Sequence, residues 1–205
     1  AMKSWLKATG QTGYSTKKTA QLIEMIHAID PTVKIKSIEQ SKWLDNHQET
    51  EIITSAVMEK VEGMKAAVMN NNQAAAFINA EGYVELSGFS TNQPTGINTR
   101  HRFDKLAKID GEWWGVDLKK TQSVDDYELS RTINKYRYHV QDTFYSDQFQ
   151  QITGKELAGF VFVFVEEEYP HMVAVKQLCD VSREIGKGLY QDDLKRFLEY
   201  KVGNL

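Results

Sequence analysis

The chain has 205 residues, 41% of them hydrophobic and 26% charged, with a formal net charge of −3. That length and balance describe a folded globular chain with room for a real core, and exclude a disordered one. The mild acidity excludes a surface coated in positive charge for indiscriminate DNA binding, and no apolar run approaches the ~20 residues that span a bilayer.

The N-terminus, Ala1-Met2-Lys3-Ser4-Trp5-Leu6, lacks the long apolar segment of a signal peptide, and Ala1 before Met2 reads as a cloning remnant. Cys179 is the single cysteine, so no internal disulfide forms, and a cytoplasmic setting is expected. Residues 16–29 place Leu22, Ile23, Met25, Ile26 and Ile29 at helical spacing, with Ser15 and Thr16 as caps and Asp30-Pro31 as the stop. A second helix is expected over about 47–69, with Ile53, Val57, Val61, Met64 and Val68 on one face, ending at Asn70-Asn71-Asn72. A short helix over 74–79 follows.

The period then changes. Tyr83 to Phe89 alternates as a strand, and Asn92 to Gly96 is a turn. Ile97–Asp104 and Trp113–Lys119 form two further strands joined by the turn Asp110-Gly111, giving a three-stranded antiparallel meander. Ser123 and Asp126 then resemble a capping arrangement for one long helix carrying Leu129, Ile133, Tyr136, Val140 and Phe144. Ala158–Val165 is almost wholly apolar and reads as a buried central strand; Met172–Val175 is another strand. Ile185, Leu189, Leu194, Phe197 and Leu198 mark a closing helix. The class is α/β, a mixed sheet flanked by helices.

The chemistry concentrates in the meander. Asp104 and Asp117 stand at similar distances from the Asp-Gly turn, so their carboxylates face each other across paired strands. Two carboxylates suit Mg²⁺, with Mn²⁺ as an alternative, and the backbone carbonyl of Leu118 is a further candidate ligand, its side chain turned into the core. Lys119 lies two residues after Asp117 and on the same side, where it can orient a water or stabilise charge on a phosphodiester being hydrolysed. An alternating strand also carries Asp-x-Lys on a wet face by chance. Basic residues gather from Arg100 to Arg137, among them Arg102, Lys105, Lys108, Lys120, Arg131, Lys135 and Arg137, and are the candidate DNA contacts.

Arg102-Phe103-Asp104, Gly115-Val116-Asp117-Leu118-Lys119 and the stretch Lys135 to Tyr145 together resemble the RecE (exonuclease VIII) nucleases of the PD-(D/E)xK superfamily, a group that includes lambda exonuclease. The stretch Tyr136-Arg137-Tyr138-His139-Val140-Gln141-Asp142 is its most specific part. The resemblance implies a restriction-endonuclease-like core, with Asp104 and Asp117 as metal-binding acids and Lys119 as the active-site lysine. Gln141 and Tyr145 match a Gln-x-x-x-Tyr motif beside the site; they lie four apart on one helical face, which also fits a packed tyrosine capped by the glutamine. Glu85 matches the glutamate-bearing strand, either approaching the metal or pairing with Arg102. The helix-borne acid of related enzymes has no clear match among His47, Glu51, Glu59 and Glu62.

The resemblance also implies one nuclease domain over 1–205, with a divergent helical part over 1–80 and the catalytic core over 81–205. It leaves room for an upstream domain. It implies a bacterial or phage-encoded 5′→3′ exonuclease on double-stranded DNA ends, a ring-shaped homo-oligomer, and a single-strand annealing partner in phage-type recombination. An endonuclease or nickase, or a catalytically weak DNA-binding domain, are the alternatives.

Overall fold

A computed structural model describes residues 1–47 and 53–203, which form two compact units meeting in sequence at Ile53 and Thr54. The first unit holds three helices, α1 (Met2–Ala8), α2 (Thr19–Ile29) and α3 (Lys36–Asn46), with Leu6, Leu22, Ile26 and Ile35 buried together. α2 begins behind Lys18, not Ser15 or Thr16, and Gln21 accepts the Lys18 N–H at 3.1 Å. It stops where expected, because Asp30 before Pro31 is extended, at φ −144° and ψ 99°. α3 was not expected: it buries no residue, so it has no apolar stripe to read.

The second unit opens with α4 (Ser55–Asn70) and α5 (Asn72–Asn79). The helix expected from about residue 47 starts later, behind Thr54, whose hydroxyl accepts the Val57 N–H at 3.3 Å. Asn71 ends α4 and caps α5 by accepting the Ala74 N–H at 3.0 Å. Strands β1 (Glu81–Asn92), β2 (Ile97–Ile109) and β3 (Glu112–Thr121) make the antiparallel meander. Strand β4 (Gly159–Glu166) pairs parallel to β3, and β5 (Val173–Gln177) pairs antiparallel to β4, giving the order β1-β2-β3-β4-β5.

Parallel pairing of β3 and β4 demands a crossover. The expected single long helix is in fact two, α6 (Asp126–Tyr136) and α7 (Tyr138–Thr153). Arg137 between them is left-handed, at φ 57° and ψ 41°, and its guanidinium is tied to Asp193 at 2.6 Å. The cap of α6 is Asp125, which accepts the N–H groups of Tyr127 and Glu128 at 3.0 and 3.3 Å. Ser123 instead accepts the Asp125 N–H.

β4 is buried along almost its whole length, so each face needs cover. Val161, Val163 and Val165 pack with Val68 and Ala74 of α4 and α5. Phe160, Phe162 and Phe164 pack on the other face with Phe103, Leu129 and Phe149, from β2, α6 and α7. Each of these rings contributes about 2 kcal/mol by burial alone. The last helix, α8 (Asp180–Lys201), lies on α7 through Gly186 and Tyr190. A Cβ on Gly186 would fall 2.1 Å from the His139 carbonyl oxygen, so only glycine permits this approach. The closing helix forms as expected, with Ile185, Leu189 and Phe197 of its apolar residues left exposed.

Candidate functional site: two acids where a strand ladder opens

The β2–β3 hairpin turns through Asp110 and Gly111, both left-handed, at φ 51° and 86°. Its ladder runs from Ile109↔Glu112 to Lys105↔Val116 and stops there. The next step would set Asp104 opposite Asp117. Instead Asp104 Oδ2 accepts the Leu118 backbone N–H at 2.9 Å, a side chain taking the place of a strand.

β2 also loses its alternation at this point, since Phe103 and Leu106, three apart, both enter the phenylalanine cluster. Glu85 on β1 falls between the pairs Val84↔Lys105 and Leu86↔Phe103, across from Asp104, and has φ 54°. A non-glycine residue there marks local strain, and such strain concentrates at functional sites.

Asp117 and Lys119 face α7. Asp117 is 2% exposed, and its Oδ1 accepts the Gln141 amide N–H at 2.5 Å. The Lys119 ammonium pairs with Asp117 Oδ2, so both oxygens of the buried carboxylate meet a donor. Burial pushes the Asp117 carboxyl above the ordinary carboxylate range, and Asp104 adds to this, while Lys119 and Gln141 oppose it. Lys119 lies 4.9 Å from the Tyr138 ring centre, a cation–π contact that holds the ammonium in place. The Leu118 side chain does not turn into the core. It is 45% exposed, although its register partner Val163 is buried in the valine cluster.

Gln141 spends its amide on Asp117, so the packed tyrosine capped by that glutamine is not what forms. Tyr145 sits one turn on, its ring against Phe103, Phe160 and His101 at 5.4, 6.2 and 5.3 Å. Burial raises its hydroxyl above the ordinary tyrosine value. Glu85 pairs with Arg102 at 2.9 Å. Of the early acids, Glu59 and Glu62 are exposed on α4, His47 stacks on Trp43 in the first unit, and Glu51 lies outside the described residues.

Arg102, Lys120, Arg131, Lys135 and Arg137 are exposed. Lys105, expected at the surface with them, is 8% exposed, because its strand is covered where the other five residues are not.

Sequence reasoning passed over Tyr138, which stands on the Gln141 face at a spacing of three. It also passed over Asp142, buried beside Gln141 and paired with Arg183 of α8 at 3.3 Å. The i, i+3, i+7 spacing of Tyr138, Gln141 and Tyr145 was the available signal.

The donors suit a hard divalent cation. Among the described residues no group of three or more His, Cys, Asp and Glu gathers as a metal cage. Mg²⁺ needs only one or two carboxylates, with water and carbonyl oxygens completing its shell. Asp117 Oδ2 and Asp104 meet that requirement. Leu118 stands beyond the β2–β3 ladder, though still paired with Val163 of β4.

Residues 15–204 match the family described as a PDDEXK-like domain of unknown function (DUF3799). The chain belongs to this PDDEXK-like family. Membership places it in the PD-(D/E)xK nuclease superfamily, and the mixed sheet with helices on both faces is that superfamily's fold. A solved structure similar to this PDDEXK-like chain is a candidate exonuclease from Eubacterium rectale, with TM-score 0.62 and 14% identity. The match covers 98% of this chain and 73% of that one. A second, SSO0001, is more distant at TM-score 0.39 and 12% identity, over 78% of this chain and 70% of that one. No curated protein matches the sequence.

Proposed function

We propose that the protein is a divalent-metal-dependent deoxyribonuclease, and specifically a RecE-like 5′→3′ exonuclease on double-stranded DNA ends. One observation carries the reading. The carboxylate of Asp117, 2% exposed, is gripped by Lys119 and Gln141 beside an Asp104 released from the ladder. An Asp-Lys pair on a wet strand face would keep its carboxylate hydrated, whereas this one is buried with a second carboxylate beside it.

Asp104 and Asp117 would hold Mg²⁺ or Mn²⁺, which supplies Lewis acidity toward the phosphate and a lowered pKa for water. Lys119, fixed by Tyr138, places a positive charge where the phosphodiester gains negative charge. Gln141 fixes the Asp117 carboxylate from the other side. The exposed cations Arg102, Lys120, Arg131, Lys135 and Arg137 supply backbone phosphate contacts. A homo-oligomeric ring that gathers them around DNA would reconcile that role with the −3 net charge, and a single-strand annealing protein would take the product strand in phage-type recombination.

The test is digestion of linear duplex labelled at the 5′ or the 3′ end, with Mg²⁺ or EDTA, by the native chain and by Asp117→Ala. Closed circles run alongside. Early release of the 5′ label, intact circles and an inert variant are expected. Cut circles would replace this reading with an endonuclease. An inert native chain would leave a DNA-binding domain without catalysis.

A further inference from the structure

Beside the acids, on the same unit, lies a cleft of about 750 Å³ between the end of β3 and α6. Its walls carry Lys120, Arg131, Lys135 and Tyr136, with the carboxylates of Glu128 and Glu167 among them. A stack of side chains joins it to the acids. Lys119 lies over the Tyr138 ring at 4.9 Å, and Tyr138 stacks on Tyr136 at 5.8 Å with 19° between the planes. Arg137 between the two tyrosines is left-handed, and the two rings stack across it. Tyr136 remains 58% exposed, an aromatic that packing does not use up.

The charges in the cleft set the size of its ligand. Lys120 pairs with Glu167 at 2.9 Å and Arg131 with Glu128 at 3.4 Å, both at the exposed surface. Such pairs contribute little stability, so a phosphate can take over either cation at small cost. Lys135 makes no ion pair among the described residues; its ammonium sits 5.0 Å from the Tyr136 ring centre. Three cations against two carboxylates leave an excess of one positive charge. That suits a single phosphate group within the cleft. An exposed ring beside a single phosphate site matches one unpaired nucleotide, because every base has a face to stack.

We propose that this cleft is a subsite for one nucleoside monophosphate unit, its base on Tyr136 and its phosphate among Lys120, Arg131 and Lys135. The assignment rests on the nuclease reading and adds to it a place for one unpaired nucleotide next to the acids. The unit is either the frayed end of the bound strand or the released mononucleotide.

Binding in EDTA tests this apart from activity. The probe is a 5′-phosphorylated thymidine hexamer with a 3′ fluorophore, read by anisotropy against an abasic phosphodiester hexamer, with thymidine 5′-monophosphate as competitor. Tyr136→Ala is expected to weaken the thymidine hexamer about ten-fold and leave the abasic one unchanged, and Tyr136→Phe is expected to restore binding. Arg131→Ala and Lys135→Ala are expected to weaken both hexamers and to lower the salt slope by about 0.7 each. Competition by the monophosphate that Tyr136→Ala abolishes would identify the released nucleotide as the ligand; competition absent, with hexamer binding still sensitive to Tyr136, would identify the strand end. Equal binding of both hexamers by the native chain and Tyr136→Ala would overturn the proposal. A native chain that binds as expected but digests nothing would sink the nuclease reading alone.

Discussion

Replacing Asp142 by asparagine probes how the helix behind the acids is held. Asp142 is 1% exposed, with Arg183 and Ser146 each at 3.3 Å from its Oδ1. Burial raises its carboxyl from 3.8 to about 6, with Arg183 opposing. The folded chain therefore binds this proton more tightly than the unfolded chain. The stabilisation is fully present below the unfolded value near 3.8 and is lost as pH rises through about 6. Its full span is about 3 kcal/mol, of which about 2 kcal/mol falls between roughly pH 4.5 and roughly pH 7.5. Asparagine keeps the shape and cannot ionise. Asp142→Asn should therefore gain about 2 kcal/mol on the native chain when buffer moves from the lower pH to the higher. Urea unfolding at both values measures this, provided the slopes agree. The same difference at both pH values, or a larger one in acid, would refute the assignment of the raised proton affinity to Asp142.

Gly186→Ala should destabilise by about 2 kcal/mol, because its methyl meets the His139 carbonyl oxygen; an unchanged melting temperature would contradict the α7–α8 packing described. Gln141→Leu removes the donor to Asp117 Oδ1 and should lower nuclease turnover by about ten-fold to a hundred-fold with folding intact, measured by end-label release and circular dichroism. Asp104→Asn should abolish metal-dependent cleavage and weaken Mn²⁺ binding, read by paramagnetic relaxation of water; unaltered Mn²⁺ binding would remove Asp104 from the ligand set. Glu85→Gly should stabilise by about 0.5–1 kcal/mol by relieving the left-handed backbone, less any contribution from the Arg102 pair; a clear loss in thermal melting would show that the pair outweighs the strain.

The sheet was legible because its signals are local. Alternation marked β1 to β3, Asp110-Gly111 marked the turn, and an apolar run marked β4. The closeness of Asp104 to Asp117 followed from their equal distance from that turn. Other features depend on contacts that no periodicity encodes. Arg137 reads as a helix residue, and only its tie to Asp193 shows why the chain breaks there. α8 shows an apolar stripe, yet the face it buries is chosen by Gly186. Lys105 looked like a surface cation because side-chain chemistry says nothing of what covers a strand. Leu118 keeps the valine face that alternation gives it, but its exposure depends on what covers β3, which alternation does not encode.

β3 pairs antiparallel on one side and parallel on the other. Its antiparallel partner arrives through a two-residue turn, and its parallel partner only after two helices. Hairpins close in about microseconds, whereas pairings distant in sequence wait on the closure of long loops. Asp104 and Asp117 thus meet early in folding, while Phe162, Gln141 and Tyr138, which dry the carboxylate and fix its lysine, come late. Before those residues dock, both acids sit on an open, hydrated hairpin, and Lys119 lacks the Tyr138 ring that holds it. Under the proposed activity, cleavage waits until the segment carrying Tyr138 and Gln141 docks.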